Sequence, residues 1–565
     1  MVFSMAAWLC AVLSVATLVH GLGRAETPTK VVHEKRNTVT RVHDKWIKKG
    51  RAEASAPLTL RIGLKQRNLE RAEEFMNAVS HPRSETYGKH WTPEEVAEAF
   101  APSDEAVAET EQWLIDEGIA TELVSKGSDR AWIRLHTTVG VVETLLDAVY
   151  DVYENEDGLQ IIACGSYSVL AAIRGHIDLI VPTVQFDERE SVWKPGVEKP
   201  NMKGLSSAKI KKLPPSGIPG VDSSESFCSD VMASACLQAL YNMPMVKGGA
   251  GELTLENNST DMPIFLDVVG DVFCDSGRGA TGLFSHAGYP DQAALPGAPA
   301  GPPPCSLYRT TGVIVLPHRN SEDAFPASYQ ARQCSEYMKL GLMGVTVVSG
   351  SGDAGTAGLG GQCVGRDGTD TPGEYGRFTP VFPNTCPWIT SVGGTALPQG
   401  GSVGDREIMA YEFQSGGGFS DMFRQPAYQA NAVKKYYDDH DPGYDASQYN
   451  NSRRVRGYPD VALASQNYQA VIGGEKVAVS GTWVSSSILG EMILMINRER
   501  TKVGKGPVGF MNTVLYEHPE LFVDVVKGGS RGCGFGFDAV DGWDPASGLG
   551  TTDYEMLKKV FMALP

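Results

Sequence analysis

KVAVSGTWVSSSILGEMILMINRERTKVGKGPVGFMNTVLY, residues 476–516, is the stretch on which the fold turns. Gly481 and Thr482 make a tight turn, and ILGEMILMINRER carries one apolar helical face. A side chain at the start of such a helix rests on a preorganised turn. It also lies at the positive end of the helix dipole, a favourable place for a nucleophile. The residue that a serine would occupy in an S-G-T-S string is Trp483, and an indole has no nucleophilic atom. Ser485 and Ser486 follow, but two residues along a helix swing a side chain by roughly 200°.

Working outward, GVTVVSGSGDAG (344–355) reads as a buried strand running into a glycine-rich turn, and WITSVGGTAL (388–397) as a second strand. Residues 226–565 are expected to form one large α/β body. Residues 189–225 are polar and rich in Lys, Pro, Ser and Gly, a linker composition open to processing. Before the linker, PLTLRIGLKQ (57–66) alternates like a strand and LERAEEFMNAVS (69–80) has helical spacing. Ser103 is placed to cap a helix over 104–117, whose first turn is acidic. AWIRLHTT (131–138) and DLIVPTVQF (178–186) are strand-like. This alternation predicts a small α/β unit of about 130 residues. Residues 26 to 50 read as an exposed basic leader.

With 565 residues, the chain is too long for one core. A net charge of -17 repels nucleic acid and anionic membrane, so neither is expected as a partner. Met5–Leu22 is apolar and short, followed by Gly23, Arg24 and Ala25, the pattern of a cleaved secretory signal. No other stretch is long and apolar enough to span a membrane. A secreted, monomeric protein is expected, with an acidic vacuolar compartment as the alternative. Of the 10 cysteines, Cys10 lies in the signal and Cys164 stands alone. The remaining eight (Cys228, Cys236, Cys274, Cys305, Cys334, Cys363, Cys386, Cys533) form no CxxC pair, which argues for disulfides over zinc and leaves the pairing open. Sequons at Asn257, Asn258 and Asn450 fit a secretory route.

There is no HExxH and no G-x-S-x-G elbow, and SGSGDAG lacks the Lys-Ser/Thr ending of a phosphate loop. The strings that remain are YGKHWTPEEVAEAFAPS, CLQALYNMP, RQCSEYMKLGLMGVTVVSGSGD, FPNTCPWITSVGGT, SGGGFSDMF, RGYPDVA, VGFMNTVLY and GWDPASGLGT. In this order, over roughly residues 60 to 565, the chain resembles the sedolisin family, the serine-carboxyl peptidases of fungal tripeptidyl-peptidase type. The resemblance implies a subtilisin-like core with a parallel sheet and an N-terminal, ferredoxin-like α/β prodomain. It divides the chain into a signal peptide (1–25), a prodomain (26–200), a linker (201–225) and a peptidase domain (226–565). It also implies peptide or protein substrates, a Ser-Glu-Asp triad, an oxyanion Asp and one structural Ca2+. A carboxylate base suits acidic pH, where a histidine would be protonated.

Carried over, the oxyanion Asp is Asp353 and the nucleophile position is Trp483. The Glu-x-x-x-Asp helix of the family has shrunk to VKGGAGELTLENNSTDMPI (246–264). Glu252 and Glu256, at i,i+4, are the candidate remnant of the acid pair; by themselves they read as a solvated acidic loop. A second alignment places Asp267 on the family Asp and Pro263 on the Glu. The Ca2+ ligands implied are the Asp524 and Asp544 carboxylates and the carbonyls of Val525, Val540 and Gly542, all hard oxygen donors. Three readings follow: a peptidase fold that has lost catalysis and acts by binding, an active acid peptidase whose transcript differs over 240–270 and 475–490, or, weakest because almost every other family string is kept, a non-enzymatic structural secreted protein.

Overall fold

The computed structural model describes residues 29–36, 46–126, 130–155, 160–186, 209–212, 228–244, 312–316, 319–358, 361–365, 370–372, 376–472 and 475–565. The N-terminal unit is built on four strands, β1 (Pro57–Leu64), β2 (Val124–Lys126), β3 (Trp132–Thr138) and β4 (Ile177–Val181). They pair antiparallel in the order β2-β3-β1-β4. Helices α1 (Ala72–Ser80), α2 (Pro93–Phe100) and α3 (Asp104–Asp116) follow β1, and α4 (Val139–Leu146) follows β3. The expected cap is present: Ser103 Oγ accepts the Ala106 amide at 3.1 Å. Thr92 caps α2 reciprocally with Glu95.

The expected leader is part of this unit. Lys30–Lys35 pairs with Ser166–Leu170, and Ile47–Arg51 with Tyr150–Glu154. Its basic residues are strand side chains facing acidic neighbours, with Lys48 2.6 Å from Asp151 and Lys49 2.8 Å from Glu154. Trp46 is buried beneath them.

In the linker, Lys209–Lys212 forms a further strand, β5. The body then carries β6 (Val313–Leu316), α5 (Ala327–Leu342), β7 (Thr346–Gly350), β8 (Thr390–Ala396), β9 (Val461–Ala464), the hairpin β10 (Tyr468–Ile472) and β11 (Glu475–Ser480), and α6 (Thr482–Lys502). β6, β7, β8 and β9 make a parallel sheet, with Ile408–Met409 antiparallel at one side of β8. Every residue of β7, β8 and β9 is buried, as parallel strands covered on both faces require. This is the α/β class expected.

α6 is the central helix. Val484, Ile488, Leu489, Met492, Ile493 and Ile496 are all buried in one core with Val348, Val392 and Val461 of the sheet. Gly490 permits the close approach: a Cβ there would fall 2.7 Å from Val315.

Disulfides join Cys228 to Cys236, Cys334 to Cys386, and Cys363 to Cys533, and Cys164 is free and buried. Cys274 and Cys305 lie outside the described residues, as does the apolar segment at the N-terminus. Among the described residues no helix is long and apolar enough to cross a membrane.

Candidate functional site

Two chain reversals bring the site together. β7 ends at Gly350 against the first turn of α6, where a Cβ would fall 2.6 Å from the Thr482 carbonyl carbon. Gly481, with φ +150°, turns the chain from β11 into α6, and a Cβ there would lie 2.7 Å from Trp483 Nε1 and 3.2 Å from Asp353 Oδ2. Glycine at these two positions lets the loop after β7 press on the helix start.

Asp353 closes that contact. Its Oδ1 accepts the Thr482 amide at 2.7 Å and the Thr482 hydroxyl at 2.9 Å. The Thr482 hydroxyl in turn accepts the Gly352 amide at 3.0 Å. Asp353 Oδ2 is ion-paired with Arg319. A carboxylate thus caps α6 from across the sheet, where the helix dipole favours negative charge. Arg319 is absent from any motif in the sequence, and the signal for it is only tertiary.

Trp483 occupies the second residue of α6, partly buried, and among the described residues its Nε1 donates to no partner. The serines that follow do not reach the site. Ser485 Oγ donates to the Thr482 carbonyl at 2.8 Å, and Ser486 and Ser487 to that of Trp483 at 3.0 and 2.9 Å. The structure therefore places Asp353 and Trp483 on either side of Gly481. Glu252, Glu256, Pro263 and Asp267 lie outside the described residues.

The five candidate metal residues also converge. Asp524 Oδ2 accepts the Gly542 amide at 2.7 Å, while its Oδ1 is buried without a partner among the described residues. Asp544 is fully buried: Oδ1 accepts the Ala546 and Ser547 amides at 2.8 Å each, and Oδ2 accepts the Val540 amide at 2.9 Å and the Ser547 hydroxyl at 3.0 Å. Burial raises both carboxyls, Asp544 to about 7. The chemistry of this donor set, two carboxylates and three backbone carbonyls, is that of a hard cation site. Ser547 Oγ also stands 3.5 Å from the Val525 carbonyl.

The N-terminal unit is seated on the body. Met76, Val79 and Phe100 share a core with Met338, Leu342 and Phe510. The Trp91 amide donates to the Leu342 carbonyl at 2.8 Å and the Thr513 hydroxyl to the Ser80 carbonyl at 2.8 Å. Arg332 of α5 reaches the Leu64 carbonyl at 2.9 Å and Asp178 at 3.2 Å.

A unit docked this firmly on the body that follows it, and joined to it by a long polar linker, is the arrangement of a zymogen. Residues 44–186 match the family model of the Pro-kumamolisin activation domain. Aorsin of Aspergillus oryzae is 32% identical, with 97% of this chain and 98% of that protein aligned. Tripeptidyl-peptidase sed1 of Aspergillus fumigatus is 32% identical over 96% of this chain and 98% of its own. Among solved structures, a Pseudomonas sedolisin, a serine-carboxyl proteinase, aligns at 20% identity over 45% of this chain and 66% of that one, with a TM-score of 0.36. The chain belongs to the sedolisin family.

Proposed function

We propose that the protein is a secreted, calcium-binding sedolisin zymogen of tripeptidyl-peptidase or endopeptidase type whose site, with the sequence as it stands, binds peptide but does not hydrolyse it. The observation that carries this is Trp483 on the first turn of α6, at the place where acyl transfer needs a hydroxyl. The names of the relatives, Aorsin and tripeptidyl-peptidase, support peptides as the ligand class. The antiparallel order β2-β3-β1-β4 supports a ferredoxin-like prodomain, and the parallel sheet behind α6 a subtilisin-like body.

In this reading Asp353 stands where an oxyanion would be met. A carboxyl donates to an oxyanion only when protonated. Here Asp353 is paired with Arg319 and accepts from the Thr482 amide and hydroxyl, so it serves as a cap. Asp524 and Asp544, with the carbonyls of Val525, Val540 and Gly542, would hold the Ca2+. The ion would neutralise two buried carboxylates and tie the turn 538–548 to the segment before it.

The test is incubation of the purified protein at acidic pH with a fluorogenic tripeptidyl substrate, followed by an intact-mass measurement. The expected outcome is no release above buffer and no loss of residues 26 to about 200. Self-cleavage independent of protein concentration, in protein whose mass confirms Trp483, would refute it.

A further inference from the structure

The strands Gly418–Arg424 and Val455–Tyr458 pair antiparallel, with Gly418 opposite Tyr458 and Arg424 opposite Val455. Residues 425–454 connect them, and the Gln425 amide on the Arg454 carbonyl at 2.9 Å closes the base of that excursion. Its last stretch, NNSRR (450–454), lies between two buried anchors. Tyr449, 3% exposed, packs against Phe378, Phe419 and Phe537, and Val455 is 8% exposed. Between these anchors Ser452, Arg453 and Arg454 are exposed, and Asn450 and Asn451 are half-buried.

The stretch opens with Asn-Asn-Ser, an acceptor triplet for N-linked oligosaccharide. Asn450 Oδ1 accepts the Ser452 amide at 3.3 Å, which turns the side chain along the loop. Its Nδ2 donates to the Asp421 carbonyl at 3.4 Å, in a contact open to solvent. An amide nitrogen carries two hydrogens, and this contact uses one. The other can be replaced without breaking a buried bond. Asn451 Nδ2 is tied to the Tyr444 carbonyl at 3.3 Å. The ground around Asn450 is polar, with Asp421 paired to Arg377 and Asp441 to Arg453. A bulky, hydrated substituent is at home on such a surface.

The same tip carries a dibasic pair. Arg453 turns the chain at φ +59° and lays its guanidinium over Tyr437, and Arg454 follows it. Exposed loop tips are where proteases nick a folded chain. Three residues span at most about 11 Å, so a branched sugar rooted on Asn450 overhangs both arginines.

We infer that Asn450 is an N-glycosylation site, and that its oligosaccharide shields the Arg453–Arg454 tip from trypsin-like proteases. The inference rests on the reading of the chain as secreted. The donor is an oligosaccharide carried on a lipid pyrophosphate, met on the secretory route. A bond forms between Nδ2 and C1 of the first sugar as the sugar–phosphate bond breaks. Nδ2 gives up one proton, and the lipid pyrophosphate leaves.

Two chains are expressed in a secreting eukaryotic cell: the full chain, and one whose residues 1–25 are replaced by a proven secretory signal. Peptide-N-glycosidase in heavy-oxygen water marks each sugar-bearing asparagine, and peptide mapping by mass is expected to find the mark at position 450. Asn450→Gln and Ser452→Ala should lose it, and Ser452→Thr should keep it. Limited trypsin digestion should cut after Arg453 or Arg454 severalfold faster in Ser452→Ala and in the deglycosylated chain than in the glycosylated one, with Ser452→Thr as resistant as its parent. Secreted protein unmarked at position 450 overturns the site, and equal cutting overturns the shield. A full chain retained in the cell beside a marked second chain sinks the secretory reading and leaves Asn450 standing. A secreted but unmarked chain sinks Asn450 and leaves secretion.

Discussion

Arg319 and Asp353 form an ion pair at the start of α6, with side chains only 8% and 1% exposed. Asp353 is committed twice over, since its other oxygen caps Thr482. Taking two charges out of water is tolerable only when each compensates the other.

Removing Arg319 should therefore cost far more than losing an exposed arginine. Arg319→Ala is expected to destabilise the body by about 3–5 kcal/mol, because Asp353 is left as a buried, uncompensated charge. Arg319→Ala/Asp353→Asn should recover much of that loss. Denaturant unfolding of the two variants checks both; an equal cost would mean that the pair is not coupled.

Trp483→Ser restores a hydroxyl and little else. Asp353 stays paired to Arg319, and Ser485, Ser486 and Ser487 still point back into the helix. Because triad members act as a unit, turnover should stay several orders of magnitude below that of an active sedolisin. Steady-state hydrolysis of a tripeptidyl substrate, alongside labelling by a serine-trapping aldehyde, is the measurement. Rapid turnover by this single variant would show that the acid pair is intact in the chain.

Metal removal should be visible in stability. On the proposed reading, a cation held by Asp524 and Asp544 would bind only the folded chain and would stabilise it by mass action. Chelation is expected to lower Tm, and Asp544→Ala to abolish the response. A melting curve indifferent to chelator would remove calcium from the molecule.

Acid acts on two buried groups with opposite sign. His90, in the prodomain, packs against the body so closely that a Cβ on Gly344 would fall 2.7 Å from its Nδ1, and one on Gly509 would fall 2.6 Å from its Nε2. Burial, aided by the charge of Arg500, lowers its pKa to about 4 from 6.5. As pH falls through 6.5 the unfolded chain takes up this proton first, so stability from His90 declines between about 6.5 and about 4. Glu322, fully enclosed in the body, is raised to about 7 from 4.5 by burial. Its contribution is full below 4.5 and is lost as pH rises towards 7. Each effect has a ceiling of about 3 kcal/mol. Acid should therefore loosen the prodomain seam while the body holds. His90→Asn should flatten the first response and Glu322→Gln the second, measured as Tm against pH with exchange at 87–91 reporting the seam. Exchange there that is unchanged between neutral and acidic pH would count against His90.

Local pattern was enough for much of the fold. The strands over 57–64, 132–138, 346–350 and 390–396, and the helix from Thr482, are legible because alternation, apolar periodicity and glycine turns act within a few residues. The cap on Ser103 is legible for the same reason. Two segments misled. Basic residues at 30–35 and 47–51 look like a solvated leader until acidic partners such as Asp151 and Glu154 are beside them. Lys209–Lys212 looks like linker because its pairing partner lies more than two hundred residues away.

What the sequence by itself determined is the order of elements, the family, and the indole at position 483, since each is written in neighbouring residues. Only the tertiary structure decided that Arg319 clamps Asp353, that Asp524 and the buried Asp544 accept amides of the same turn, from Gly542 and Val540, and that Lys209–Lys212 lies antiparallel along β11. These are meetings between residues far apart in the chain. They are set by how packed elements close loops and exclude water, and no short-range pattern carries that information.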